Sequence, residues 1–191
     1  MISRNDIIEA FKPFLDRIED TALREKTVDV WVDGCKEGGW TSMDQLRSMP
    51  YTLLTDTRGI NLMEHTAAVT EGAIALAEAQ KRHYRQMPYA VDMDRLVVGG
   101  LLHDVGKLLE FEGDGQGGFR KSRAGKCARH PISGAILAGK HGLPDEVINT
   151  IGCHAKEGDG RPQVLETILI HQADFATFDP LVMLKKGDLI V

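Results

Sequence analysis

The chain has 191 residues, 42% of them hydrophobic and 27% charged, with a formal net charge of -5 at pH 7. That length suits one globular domain with a sizeable core, and the acidic balance argues against nucleic-acid binding through a whole-surface positive field. No apolar run approaches the roughly 20 residues that cross a bilayer, the N-terminus MISRNDIIEAFKPF lacks a signal-peptide core, and the three cysteines (Cys35, Cys127, Cys153) form no CxxC pair, so a cytoplasmic chain with reduced cysteines and no membrane partner is expected.

From the N-terminus, Ile7, Ile8, Phe11, Phe14, Leu15 and Ile18 recur at helical spacing, with Pro13 a kink or boundary. Leu23, Val28, Val30, Trp31 and Val32 predict a second helix over about Thr21 to Glu37 that stops near Gly38 and Gly39. A short polar element around Met43 to Ser48 leads to Pro50, and Thr55 to Gly59 reads as a turn. NLMEHTAAVTEGAIALAEAQ is strongly helical, with Asn61 as its N-cap. DRLVVGGLLHDVGKLLEFE is apolar nearly all round, which predicts one central buried helix. Gly99 and Gly100 each cost about 1 kcal/mol inside a helix and so imply close approach of another backbone. EGDGQGGFRKSRAGK reads as a mobile surface loop. HPISGAILAGKHGLP restarts a helix, with Pro131 in its first turn and Gly142 at its end. Two more helices are predicted near Asp145 to His154 and Pro162 to Phe178. The expected fold is all-α, one domain over residues 1–191, with N-terminal helices in 1–60 and no internal repeat or low-complexity tract.

Charge along the chain is uneven. No acid occurs from Gly115 to Pro144, whereas Arg120, Lys121, Arg123, Lys126, Arg129 and Lys140 all fall there. Of the seven histidines, His83 and His141 read as surface residues. His65 precedes Val69, Gly72, Ala73 and Leu76 on an apolar face; His154 follows Val147 and Ile151; Asp174 stands between Ile170 and Phe178 at helical spacing. His103, Asp104 and Lys107 interrupt the otherwise interior run LLHDVGKLLEF. A lone histidine on an apolar face is usually a hydrogen-bonded core residue, and a lone buried aspartate a cap or ion-pair member. An isolated buried carboxylate costs several kcal/mol, however, and one metal can satisfy several such residues projecting inward from facing helices. Imidazole and carboxylate donors suit iron, manganese, zinc or nickel, while the lack of thiolate disfavours a structural zinc.

These residues carry a resemblance. The order His65, His103-Asp104, Asp174 is similar to the ligand set of the HD superfamily, a helical fold of metal-dependent phosphohydrolases. HDVGK resembles its HD-I/V-G-K element, HPISGA its HP-x-x-GA element with His130, CHAKEGDG its H-(H)-x-x-x-DG segment with His154, and HQADF its closing AD element. Together these span residues 61 to 178, the motif core. The cyclic-di-GMP phosphodiesterase branch has a second histidine where Ala155 stands, Gly-Tyr-Pro where Arg161-Pro162 follows Gly160, and a glutamate in place of Asn61. The general HDIG-type dinuclear hydrolases fit better.

The resemblance implies a first metal held by His65, His103, Asp104 and Asp174, with Asp104 bridging to a second held by His130 and His154. Two divalent transition-metal ions are expected, iron or manganese first, with nickel, cobalt or zinc as alternatives. Such a pair lowers the pKa of a bridging water to supply hydroxide and clamps the phosphoryl oxygens. On one helix Asp104 and Lys107 share a face, so Lys107 is expected to reach a phosphate oxygen. Lys126, Arg129 and Lys156 are candidate phosphate contacts, each with a solvated-loop alternative, and Glu157 and Asp159 read either as general acids or as surface residues. His171 either orients Asp174 or packs. The implied function is hydrolysis of a small phosphorylated metabolite or nucleotide, without nucleic-acid binding. The same six ligands serve mixed-valent diiron oxygenases, and a noncatalytic nucleotide-binding HD domain is the other alternative. Nothing in the residues fixes an oligomeric state.

Overall fold

Ser3 opens the first helix, α1 (Arg4–Leu15), in a computed structural model that describes residues 1–158 and 164–190. The Ser3 hydroxyl accepts from the Asp6 amide while the Asp6 carboxylate accepts from the Ser3 amide, a capping box that satisfies two otherwise unpaired donors. Helix α1 ends shortly after Pro13. Helix α2 (Thr21–Gly38) starts on the Asp20 carboxylate and stops where Gly39 takes a left-handed φ of 78°. After α3 (Met43–Ser48) comes α4 (Leu62–His83), for which Asn61 and Glu64 form a second capping box.

The remaining elements are α5 (Met93–Leu102), α6 (Lys107–Glu110), β1 (Phe111–Gly113), β2 (Phe119–Lys121), α7 (Arg123–Cys127), α8 (His130–Lys140), α9 (Asp145–Cys153), a 3₁₀ turn over Lys156–Gly158, and α10 (Leu165–Lys186). Among the described residues the fold is all-α apart from that two-stranded antiparallel hairpin. The expected helix near Pro162 to Phe178 runs on to Lys186; Pro162 itself lies outside the described residues. No described helix is long and apolar enough to cross a membrane.

Two expectations are corrected. The central buried run is not one helix: α5 ends at Leu102, and residues 103–106 form a tight turn before α6. Val105 N donates to Leu102 O, Lys107 N to Asp104 O and Leu108 N to Val105 O, all i to i+3 bonds. Nor is EGDGQGGFRKSRAGK a surface loop. Phe111 pairs with Lys121 and Glu112 with Arg120, and a short helix follows. The Asp114 carboxylate accepts from the Gln116 and Gly118 amides and closes the hairpin, while Gly115 and Gly117 supply left-handed φ values of 79° and 88°. The glycines thus serve a turn.

Buried apolar residues from Ile2 to Ala173 form one cluster, with Phe11 packed on Trp31 at 5.0 Å between ring centroids. Helix α4 packs on α5 and α10, and α8 on α9. The close approach expected at the glycine pair holds for Gly100, where a Cβ would lie 3.1 Å from the Thr70 Cα of α4; Gly99 faces the side chains of Ile170 and Thr150. The turn frees backbone carbonyls, and α2 and its end supply donors. Trp31 Nε1 donates to Leu101 O at 2.9 Å, and Trp40 Nε1 donates to Leu108 O at 2.7 Å.

Candidate metal centre

Helix ends deliver most of the candidate donors. His65 lies in the first turn of α4, His103 caps the C-terminus of α5, His130 opens α8 and His154 caps α9, while Asp174 comes from α10. The last carbonyls of a helix lack intrahelical partners. His103 Nδ1 sits 2.6 Å from Gly100 O and His154 Nδ1 2.9 Å from Ile151 O. A proton on each Nδ1 satisfies those carbonyls and leaves Nε2 as a lone pair, an assignment made from geometry.

Those Nε2 atoms converge on Asp104, which is 1% exposed. Its Oδ2 lies 3.3 Å from His65 Nε2 and 3.5 Å from His103 Nε2; its Oδ1 lies 3.3 Å from His130 Nε2 and 3.5 Å from His154 Nε2. Asp174 Oδ1 is 3.1 Å from His65 Nε2. Two donor groups result that could each hold a metal ion: His65, His103 and Asp104, and Asp104, His130 and His154. Ligand atoms bound at about 2.1 Å to a common ion are themselves about 3.0 to 3.5 Å apart, so the spacing fits a divalent cation. Among the described residues, Asp104 Oδ1 and His154 Nε2 are buried without a hydrogen-bond partner. Orphaned acceptors that face one another are what a cation satisfies.

Electrostatics follow from this crowding. Burial opposes ionisation of Asp104, but the Lys107 ammonium and the His103 ring hold its carboxyl well below the usual range. Lys107 Nζ lies 2.5 Å from Asp104 Oδ2. The i to i+3 turn explains that contact, because side chains three apart eclipse in 3₁₀ geometry, a tighter register than the α-helical face expected from sequence. Burial likewise disfavours the Asp174 carboxylate, yet His65 brings it down to about 2. For His65 burial is outweighed by Asp104 and Asp174, which raise its pKa.

Two residues were missed by the sequence reading. Glu110 is 2% exposed, and its Oε2 accepts from the His130 amide at 2.7 Å and meets His130 Nδ1 at 2.8 Å. Burial pushes His130 down to about 4 in spite of Glu110 and Asp104, so the ring is neutral near pH 7, with Nδ1–H on Glu110 and Nε2 free for a cation. Glu110 itself, disfavoured by burial but paired with His130 and Lys121, is held at about 2. Glu110 stands in the same interior run as His103 and Asp104, and that was its available signal. A carboxylate behind a ligating histidine typically governs affinity by 10- to 100-fold. Glu110→Gln is therefore expected to weaken one cation by about that factor, read in a chelator-competition titration; unchanged affinity for both would count against the assignment. The other missed residue, Tyr51, stacks on His65 with ring centroids 4.1 Å apart and planes 15° from parallel, and it has no sequence signal beyond following Pro50.

The remaining candidates disperse. Lys126 and Lys156 are exposed and make no ion pair among the described residues. Arg129 pairs with Glu157 and lies 4.0 Å from Glu110, so neither Arg129 nor Glu157 is a free group; Asp159 lies outside the described residues. The acid-free interval is largely compensated in space: Arg120 meets Glu112 at 2.9 Å, Lys121 meets Glu110 at 3.1 Å, and Lys140 meets Glu37 at 2.9 Å. His171 holds the His154 carbonyl through Nδ1 at 2.5 Å, so it acts on the end of α9.

The HD domain family model matches residues 62–176. Ribonuclease Y of Pseudothermotoga lettingae is 32% identical over 116 residues, covering 61% of this chain and 18% of that protein. Ribonuclease Y of Desulfotalea psychrophila is 25% identical over 170 residues, covering 88% of this chain and 27% of that protein. Ribonuclease Y of Clostridium botulinum is 39% identical over 75 residues, covering 39% of this chain and 12% of that protein. The chain thus spans between about an eighth and about a quarter of these curated relatives. No solved structure matches.

Proposed function

Because the chain belongs to the HD-domain family, we propose that it is a metal-dependent phosphohydrolase or phosphodiesterase acting on a small phosphorylated metabolite or nucleotide. The proposed ligands are His65, His103, Asp104 and Asp174 for one divalent cation and Asp104, His130 and His154 for a second. The observation that carries this reading is Asp104, whose two carboxylate oxygens face separate histidine pairs, with Oδ1 left without a hydrogen-bond partner among the described residues. When bound, a cation pair supplies Lewis acidity that activates a water and neutralises phosphoryl charge.

The chain's own residues do the rest. Gly100 and Ile151 carbonyls and the Glu110 carboxylate fix three imidazoles with Nε2 inward. Lys107 pairs with Asp104 and stands beside the donor cluster as a cation for a phosphoryl group. A cation held by Asp104 would take over the balancing of its charge, and the Lys107 ammonium would then be available to a substrate oxygen. Lys107→Ala is accordingly expected to keep the metal content and to weaken phosphate binding about tenfold, the worth of one charged hydrogen bond. Unchanged phosphate affinity would remove Lys107 from the substrate site.

RNA is a second reading of the substrate, favoured by the shared name of the relatives and by Arg123 and Lys126, exposed on α7 close in sequence to His130. Elemental analysis of protein purified without chelator tests the common premise, with about two equivalents of transition metal per chain expected. Phosphomonoesters, nucleoside diesters and single-stranded RNA assayed side by side then separate the substrate classes. Absence of metal after reconstitution with iron, manganese and zinc would overturn the hydrolase reading.

A further inference from the structure

Among the described residues, Tyr51 Oη, Thr66 Oγ1, Arg95 Nε, Asp104 Oδ1 and His154 Nε2 are buried with no hydrogen-bond partner. Arg95 Nε faces the Asp92 carboxylate at 3.1 Å, and the proposed cations would account for Asp104 Oδ1 and His154 Nε2. Tyr51 Oη belongs to a ring 1% exposed, stacked on His65 and meeting Phe178 edge-on at 6.4 Å between centroids. The ring alone would fill this space as phenylalanine. An unpaired buried hydroxyl is a net cost to folding, so its presence here calls for a partner that arrives from outside.

Resting on the hydrolase reading, we propose that Tyr51 is a substrate-binding residue whose hydroxyl donates a hydrogen bond to a phosphoryl oxygen held next to Lys107. Lys107 Nζ lies over the Tyr51 ring, 5.6 Å from its centroid, while the ring stacks on His65 and the ammonium meets Asp104, so the phenol and the ammonium both border the His65 and Asp104 donors. The placement is fixed by the backbone. Leu62 N donates to Met49 O at 2.9 Å and Pro50 bridges Asn61, which pins the segment carrying Tyr51 to the N-terminus of α4, the helix that carries His65. Tyr51 lies outside residues 62–176, so the contact comes from a part of the chain that the family match does not cover. Two donors of different charge bordering one donor group suit a tetrahedral oxyanion, with Lys107 taking one oxygen and Tyr51 another.

The test is inorganic phosphate binding to the metal-reconstituted full chain, wild type against Tyr51→Phe, by calorimetry. The expected result is metal content, helix content and melting temperature no lower than wild type, with phosphate affinity about tenfold weaker. Affinity within twofold of wild type would overturn the contact while leaving the hydrolase reading in place. Loss of a metal equivalent in Tyr51→Phe would make the phenol oxygen a metal ligand and overturn the proposal in another way. Metal-loaded wild type that neither binds phosphate nor cleaves any phosphoester would overturn both readings together.

Discussion

Replacing Asp104 by asparagine is expected to strip both cations from the protein and to lower phosphoester turnover on the order of a thousandfold, with helix content unchanged. The size follows from the charge stabilisation lost: about 4 kcal/mol of Lewis-acid assistance corresponds to roughly three decades in rate. The reach to both ions follows from position, since Asp104 is common to both donor groups. Asparagine keeps the volume of the side chain, which matters because the Lys107 side chain is only 10% exposed and truncation to alanine would strand its ammonium in a hole. Metal analysis and circular dichroism on the same sample check the prediction. Retention of either equivalent at wild-type affinity would show that Asp104 does not bridge.

Gly106→Ala should unfold the protein more easily than any surface change. A Cβ at Gly106 would lie 2.1 Å from His130 O and 2.6 Å from Gly134 N, both backbone atoms of α8. Neither can yield by rotating a side chain, so α8 must move away from the turn that carries His103 and Asp104. Overpacking against backbone at this range costs about 3 kcal/mol, or roughly 6 to 12 °C in melting temperature for a chain of this size. Because α8 begins with His130, the same shift withdraws His130 Nε2 from Asp104 Oδ1, and the second cation should weaken along with the fold. Differential scanning calorimetry with and without metal reads both effects, and a melting temperature within about 2 °C of wild type would refute the close approach.

Helical spacing located most helices because each buries one apolar stripe against the common core, and caps such as Asn61 left explicit marks. What spacing could not carry was the break after Leu102: the run through Phe111 is apolar on all sides, so its periodicity does not change where the α-helix tightens into i to i+3 bonds. The glycine-rich stretch misled for a different reason. Its glycines meet the demands of a hairpin turn locked by Asp114, and the strands are only three residues each, too short to display alternation. At the candidate site, the six donors and Lys107 were legible from motif order, and the structure brings them together. The acid-free interval could not be read for pairing, because acids absent along the chain return across the hairpin, where Glu112 meets Arg120 and Glu110 meets Lys121, while Lys126 stays exposed without an ion pair among the described residues. Tyr51 carries no such mark, since its stacking partner His65 stands fourteen positions along the chain in another element.

The two indoles bound to the turn carry one more consequence. Trp31 and Trp40 are the only tryptophans in the chain, and each donates its ring N–H to a carbonyl flanking His103 and Asp104. Every tryptophan chromophore is therefore tethered to the backbone around the donor turn, one on either side. The intrinsic emission of the molecule is consequently a readout of that turn's geometry, requiring neither an attached dye nor knowledge of the substrate.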